Sequence, residues 1–173
     1  MKIGFIGLGN AGGKLANNLL KSRYKLIVMD LDPRILNKFK KKGAFLARSP
    51  KDLAEKSDVI ITCLPSPLAC SKVMTAKNGV INGLSKNKIW LEMSTTDQSE
   101  VKRIGKMVKK KGSYALDVPV SGGCHRAATG NISIFVGGEK KIFKKVLPIL
   151  KCMGRKILYT GKLGTASILK VIT

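Results

Sequence analysis

The stretch Lys2–Gly13 sets three glycines, Gly7, Gly9 and Gly12, in the spacing G-x-G-x-x-G directly after a short apolar run of Ile3, Phe5 and Ile6. Lys14 to Leu20 continues with helical character. A strand, a glycine turn and a helix in that order leave few folds open. The first glycine permits a tight turn, and the second lets backbone approach a pyrophosphate. The third allows close packing of helix on strand, while the helix N-terminus faces the anion. The spacing alone would fit any glycine-rich loop. Its context makes Gly7, Leu8, Gly9, Asn10, Ala11 and Gly12 a dinucleotide-binding fingerprint.

Lys25–Asp30 reads as a second strand, with Leu26, Ile27, Val28 and Met29 ending in an acid. Asp30 lies 18 residues beyond Gly12, where a carboxylate meets the adenosine ribose 2′-hydroxyl and would repel a 2′-phosphate. NAD is therefore expected over NADP. Arg34 and the lysines after it leave room for NADP, and Asp30 could instead cap the helix that Pro33 begins.

Beyond this unit, strands are expected at 44–46, 58–62, 88–93, 113–117, 132–136 and 156–159. Helices are expected at 33–42, 50–56, 66–74, 97–110 and 139–153, with Pro148 a possible interruption of the last. Alternating strands and helices specify an α/β fold, a Rossmann-type doubly wound, mostly parallel sheet. Right-handed crossovers put the strand ends on one edge, where ligands of such sheets bind. Five unusual segments fall at strand ends: Gly7–Gly12, Asp30, Leu64-Pro65, Ser94-Thr95 and Asp117–Gly123.

The 173 residues suffice for one α/β domain with a sizeable core. The net charge of +23 comes from 33 Lys and Arg against 10 Asp and Glu. Such a balance invites a nucleic-acid reading. The lysines are dispersed over the expected helices, however, and nine aromatic residues offer little base stacking. A solvated basic surface is expected instead. Cys63, Cys70, Cys124 and Cys152 show no C-x-x-C spacing and build no metal site with the lone His125, so no metal is expected. Reduced thiols, no membrane-spanning stretch and a strand starting at residue 2, with no signal peptide before it, imply a cytoplasmic protein.

Several motifs resemble the β-hydroxyacid dehydrogenases, the family of 3-hydroxyisobutyrate dehydrogenase and small semialdehyde reductases. Gly7-Leu8-Gly9-Asn10-Ala11-Gly12 is similar to the family's G-L-G-N-M-G. Leu64-Pro65 matches its segment beside the cofactor, and Ser94-Thr95 followed by Asp97 its S-T-x-D. Pro119-Val120-Ser121-Gly122-Gly123, with Gly130-Asn131-Ile132 and Val136-Gly137-Gly138, matches its substrate loop. Lys170 after Gly164 stands where the family carries its catalytic lysine. The resemblance implies that Leu64, Pro65 and Thr95 touch the cofactor. It also implies that Ser121, Gly122 and Gly123 hold a substrate carboxylate and that Lys170 exchanges the alcohol proton. The residues suit those roles. A strand end followed by two glycines can converge backbone N–H groups on an anion. A lysine among Ile168, Leu169, Val171 and Ile172 would be pressed into an apolar site that lowers its pKa, or would snorkel from a helix flank.

The sequence departs from the family pattern at Glu92-Met93 ahead of Ser94-Thr95, at Ala69, and at Cys124-His125-Arg126 in the substrate loop. His125 and Arg126 could contact an acidic substrate or simply be solvated. The resemblance divides the chain into a dinucleotide-binding domain at 1–162 and, at 163–173, the start of a helix leading to an all-helical domain. That helix start is expected to be frayed or sticky. The reading is thus an NAD-dependent 3-hydroxyacid dehydrogenase, with a small carboxylate as substrate and a homo-oligomer in the full-length form. The alternatives are an NADPH-dependent reductase of small aldehydes and a non-catalytic module that binds NAD or nucleic acid.

Overall fold

Apolar runs without polar alternation require cover on both faces, and the chain supplies it with helices. The computed structural model describes residues 1–173. Strands β1 (Lys2–Ile6), β2 (Lys25–Met29), β3 (Phe45–Leu46), β4 (Val59–Thr62), β5 (Ile89–Glu92) and β6 (Tyr114–Asp117) lie parallel in the order β3-β2-β1-β4-β5-β6. Side chains alternate between two cores. Ile3, Phe5, Leu26, Val28, Val59, Ile61, Ile89 and Leu91 face one side. Ile6, Ile27, Ile60 and Trp90 face the other. Helices α1 (Asn10–Lys21), α2 (Pro33–Lys41), α6 (Gly123–Thr129) and α7 (Lys140–Met153) cover the first side through residues such as Leu15, Phe39, Ala127 and Val146. Helices α3 (Pro50–Lys56), α4 (Pro67–Thr75) and α5 (Gln98–Lys110) cover the second through Leu53, Met74 and Ile104. Each large side chain so buried contributes roughly 1.5–3 kcal/mol of transfer free energy.

The helices begin where the sequence says they should. Asp32, Ser49 and Ser66 each accept a backbone N–H of the first turn, and each is followed by a proline. Asp97 caps α5 in the same way.

The chain beyond β6 differs from the expected alternation. A short strand β7 (Val120–Ser121) and the helix α6 replace what reads as a glycine loop. Strand β8 (Ile132–Gly137) then runs antiparallel to β6 and β7, and β9 (Gly154–Gly161) runs parallel to β8. Strands β8 and β9 thus run opposite to β1–β6, yet their last residues, Gly137 and Gly161, still come level with Asp117. The reason is the short reach of α6: seven residues return the chain beside β7 rather than across the sheet. Pro148 does not interrupt α7, because it lies on the solvent face, where the helix can tilt a carbonyl outward. Helix α8 (Thr165–Ile172) closes the chain.

Two helices on one face are joined by a buried amide. Asn18 Nδ2 of α1 donates to Ala127 O of α6 at 2.8 Å. Replacing Asn18 with Ala leaves that buried carbonyl short of a donor, and we expect a loss of about 1–3 kcal/mol, read as a lower denaturant midpoint with an unchanged slope.

Candidate functional site

Pairing register brings the last residues of five strands into one row: Met29 beside Ile6, Ile6 beside Thr62, Thr62 beside Glu92, and Glu92 beside Asp117. Strand order reverses between β1 and β4, which opens a crevice above that row. The glycine turn occupies it. Gly7 has φ +98°, and a Cβ there would collide with Cys63 O at the end of β4. A Cβ at Gly12 would strike Gly7 O. Gly9, the residue ahead of α1, has open space where its Cβ would be. The two outer glycines are thus filled by protein, and the middle one faces an empty cradle at a helix N-terminus. That arrangement fits a pyrophosphate. Asn10 is exposed beside it and Ala11 half-buried, whereas the Leu8 side chain lies in the core and only its backbone reaches the turn.

Asp30 follows β2 and is half-buried. One carboxylate oxygen accepts Leu8 N at 2.7 Å, and the other accepts Asp32 N at 2.9 Å. The acid therefore shapes the glycine turn, and each oxygen keeps a lone pair for a further donor. Arg34 is held by Asp32 at 3.3 Å.

A buried polar network joins the ends of β4 and β5. Trp90 Nε1 donates to Thr62 Oγ1 at 2.9 Å, and Thr62 Oγ1 donates to Glu92 Oε1 at 3.0 Å. Ser94 N reaches the same oxygen at 2.8 Å, and the Cys70 thiol meets Glu92 Oε2. Ser94 Oγ in turn accepts Leu64 N at 2.7 Å. Leu64 and Pro65 are thereby fastened to the Ser94–Thr96 turn. Thr95 is exposed, while Thr96 beside it is buried with a hydroxyl that finds no partner. Burial pushes the Glu92 carboxyl above the ordinary carboxylate range against the pull of its hydrogen bonds. Burial, with smaller contributions from the Glu92 and Cys124 charges, pushes the Cys63 thiol up to about 12.

Ser121 ends β7, and its hydroxyl makes no hydrogen bond within the chain. Gly122 and Gly123 follow with φ +131° and +77°, a backbone that side chains rarely adopt. The Arg126 stem packs over Gly122. Lys170 is half-buried on α8, three residues beyond Ser167, and takes part in no ion pair. Asp117 binds the start of that helix: Gly164 N at 2.9 Å, Ser167 N at 2.8 Å and Ser167 Oγ at 3.0 Å. From the sequence, Asp117 stands only at the head of an unusual strand-end segment and Glu92 only as a departure from the family pattern, and Asn18 is passed over. The available signal is an acid at the end of an otherwise apolar strand, present at Asp30, Glu92 and Asp117 alike. A cleft of about 500 Å³ lies elsewhere, lined by Tyr114, Ile142 and Tyr159 among others, between α5 and the start of α7.

The fold and the glycine cradle define a Rossmann-type dinucleotide-binding domain. Residues 2–161 match the model for the NAD binding domain of 6-phosphogluconate dehydrogenase, and the chain belongs to that family. It is 41% identical over 169 residues to the mitochondrial 3-hydroxyisobutyrate dehydrogenase of Rattus norvegicus, covering 98% of this chain and 50% of that protein. It is 34% identical over 170 residues to the NAD-dependent L-serine dehydrogenase of Pseudomonas aeruginosa, covering 98% of this chain and 57% of that protein. The Mycobacterium tuberculosis 3-hydroxyisobutyrate dehydrogenase, solved with L-serine, superimposes with a TM-score of 0.93 at 27% identity, over 99% of this chain and 58% of that one. These bear out the resemblance to the β-hydroxyacid dehydrogenases and their N-terminal NAD-binding domain. The chain spans about half the length of the curated relatives it matches.

Gly9→Ala should keep the melting temperature yet weaken NADH binding at least about tenfold, a loss of about 1.4 kcal/mol, because the added methyl enters the cradle. Gly12→Ala should lower the melting temperature itself. For Glu92, a folded-state pKa above the unfolded one means the neutral carboxyl's stabilisation is complete below the unfolded value and is lost as pH rises through the folded one. Glu92→Gln should therefore flatten the decline of the denaturant midpoint as pH rises above the ordinary carboxylate value of 4.5.

Proposed function

We propose that this chain is the cofactor-binding part of an NAD-dependent 3-hydroxyacid dehydrogenase acting on a small hydroxy acid. Residues 1–162 form the dinucleotide domain, and residues 163–173 open the helix leading to a further domain. The observation that carries this reading is the anchorage of α8. Asp117 fixes the lysine-bearing helix to the end of β6, three residues before the Val120–Ser121 strand and on the edge that holds the glycine cradle.

Bound NAD supplies a hydride acceptor. In this reading the backbone around Gly7–Gly12 seats the pyrophosphate, and the lone pairs left on Asp30 receive the ribose hydroxyls. Asp32 already engages Arg34, the cation that a 2′-phosphate would need, and Leu31 beside Asp30 is 98% exposed and apolar. Both features favour NAD over NADP. Leu64, Pro65 and Thr95 line the cofactor's reactive end. The Ser121 hydroxyl and the amides of Gly122 and Gly123 hold the substrate carboxylate. Lys170 takes the proton of the substrate hydroxyl as the carbon bearing it gives up its hydride to NAD, and returns that proton in reduction.

No helix is long and apolar enough to cross a membrane. A cytoplasmic location and a homo-oligomeric full-length protein complete the proposal. The basic residues support a solvated surface rather than a nucleic-acid site, because they occupy both helical layers: Lys38, Lys40, Lys144 and Lys145 on α2 and α7, Lys102, Lys106 and Lys109 on α5.

Calorimetric titration should show NADH binding about tenfold or more tighter than NADPH, and equal affinities would sink the Asp30 assignment. In the full-length protein, Lys170→Ala should cut the oxidation rate of 3-hydroxyisobutyrate about a hundredfold or more while NADH affinity stays within about twofold of wild type.

A further inference from the structure

We infer that Asp117 is a positioning residue for the reaction, its buried carboxylate setting the lysine helix in place against the substrate loop. The inference rests on Lys170 having the role proposed above. Asp117 is fully buried and forms no salt bridge; its only polar partners are Gly164 N, Ser167 N and Ser167 Oγ. A carboxylate withdrawn from water without a cation is costly unless hydrogen bonds replace its hydration. Here the first turn of α8 replaces it, with three donors and the positive end of the helix.

Helix capping alone would not need this residue. An N-cap side chain from the helix's own sequence satisfies a first turn, as Asp32, Ser49, Ser66 and Asp97 do elsewhere in this chain. Helix α8 lacks one: its cap position is Gly164, with φ +96° and no side chain. The missing acceptor comes instead from 47 and 50 residues upstream. A local cap would stabilise α8 wherever it lay, whereas a cap borrowed from a strand end also dictates where it lies. Gly137 keeps the space open, since a Cβ opposite Asp117 would collide with its Oδ1. From Asp117 the chain runs forward three residues to β7 and its Ser121. From Ser167 it runs three residues, just under one helical turn, to Lys170. One side chain thus ties the two groups that must meet the substrate together.

A double-mutant cycle in the full-length protein tests this. Asp117→Asn keeps the shape but turns an NH2 toward a backbone donor. It should lower kcat about tenfold to a hundredfold, the scale of a small misplacement of a catalytic group, with the Kd for NADH within about twofold of wild type. In a Lys170→Ala background the same change should alter the residual rate by less than about twofold, because its effect passes through the lysine. Ser167→Ala, which removes one donor of three, should give a smaller loss in the same parameter, and it reads the inference alone if Asp117→Asn does not fold. An equal loss with and without Lys170, a parallel loss of NADH affinity, or an unchanged kcat in both variants would overturn the positioning role. An unchanged rate for Lys170→Ala by itself would instead overturn the lysine assignment, and separates the two failures.

Discussion

Strand-end carboxylates accepting backbone N–H groups from neighbouring loops hold the working edge of this domain together. Asp30 takes Leu8 N from the glycine turn, Glu92 takes Ser94 N, and Asp117 takes the first turn of α8. A loop leaving a parallel sheet has orphan donors and little packing of its own. An acid placed one step beyond the apolar run meets those donors while the strand supplies rigidity. At Asp30 and Asp117 an ionised carboxylate makes such bonds charge-assisted, roughly twice as strong as neutral ones. The loops that build the edge therefore inherit the precision of the sheet.

The three acids are not equivalent. Asp30 is half-buried and keeps capacity for another donor. Asp117 is sealed and spent on α8. Glu92 is sealed as well, but its partners are a hydroxyl, a thiol and one amide, and burial dominates its ionisation. It acts as a hub between β4 and β5. Its network ends in Leu64 N through Ser94 Oγ, so two segments assigned separately by motif form one physical unit.

Much of this was legible in the residues. Continuous apolar runs at 59–61 and 89–91 required cover on both faces, and Pro33 marked a helix start, although its cap is Asp32 and not Asp30. The glycine spacing located the cradle because each glycine answers to a different steric demand. The region after Asp117 resisted such reading. Ser121-Gly122-Gly123 looks like a loop, yet Val120 and Ser121 pair with Ile134 and Ser133, a non-local match that local composition does not encode. Strand direction for β8 and β9 depends on how far α6 carries the chain, which is a matter of tertiary reach. Leu8 belongs to the glycine motif by position, but its side chain is core. The anchorage of α8 was hidden for the same reason: its donor and acceptor lie 47 and 50 residues apart.

That separation bears on the order in which the molecule assembles. A helix of eight residues with a glycine at its cap is marginal by itself. It gains its anchor only after β6 has joined β5 and Gly137 of β8 has come to rest against Asp117. Closing loops of 47 and 50 residues costs chain entropy that the packed sheet has to repay. The placement of the lysine-bearing segment thus depends on the β6–β8 seam, and loosening there would take away the anchor of α8.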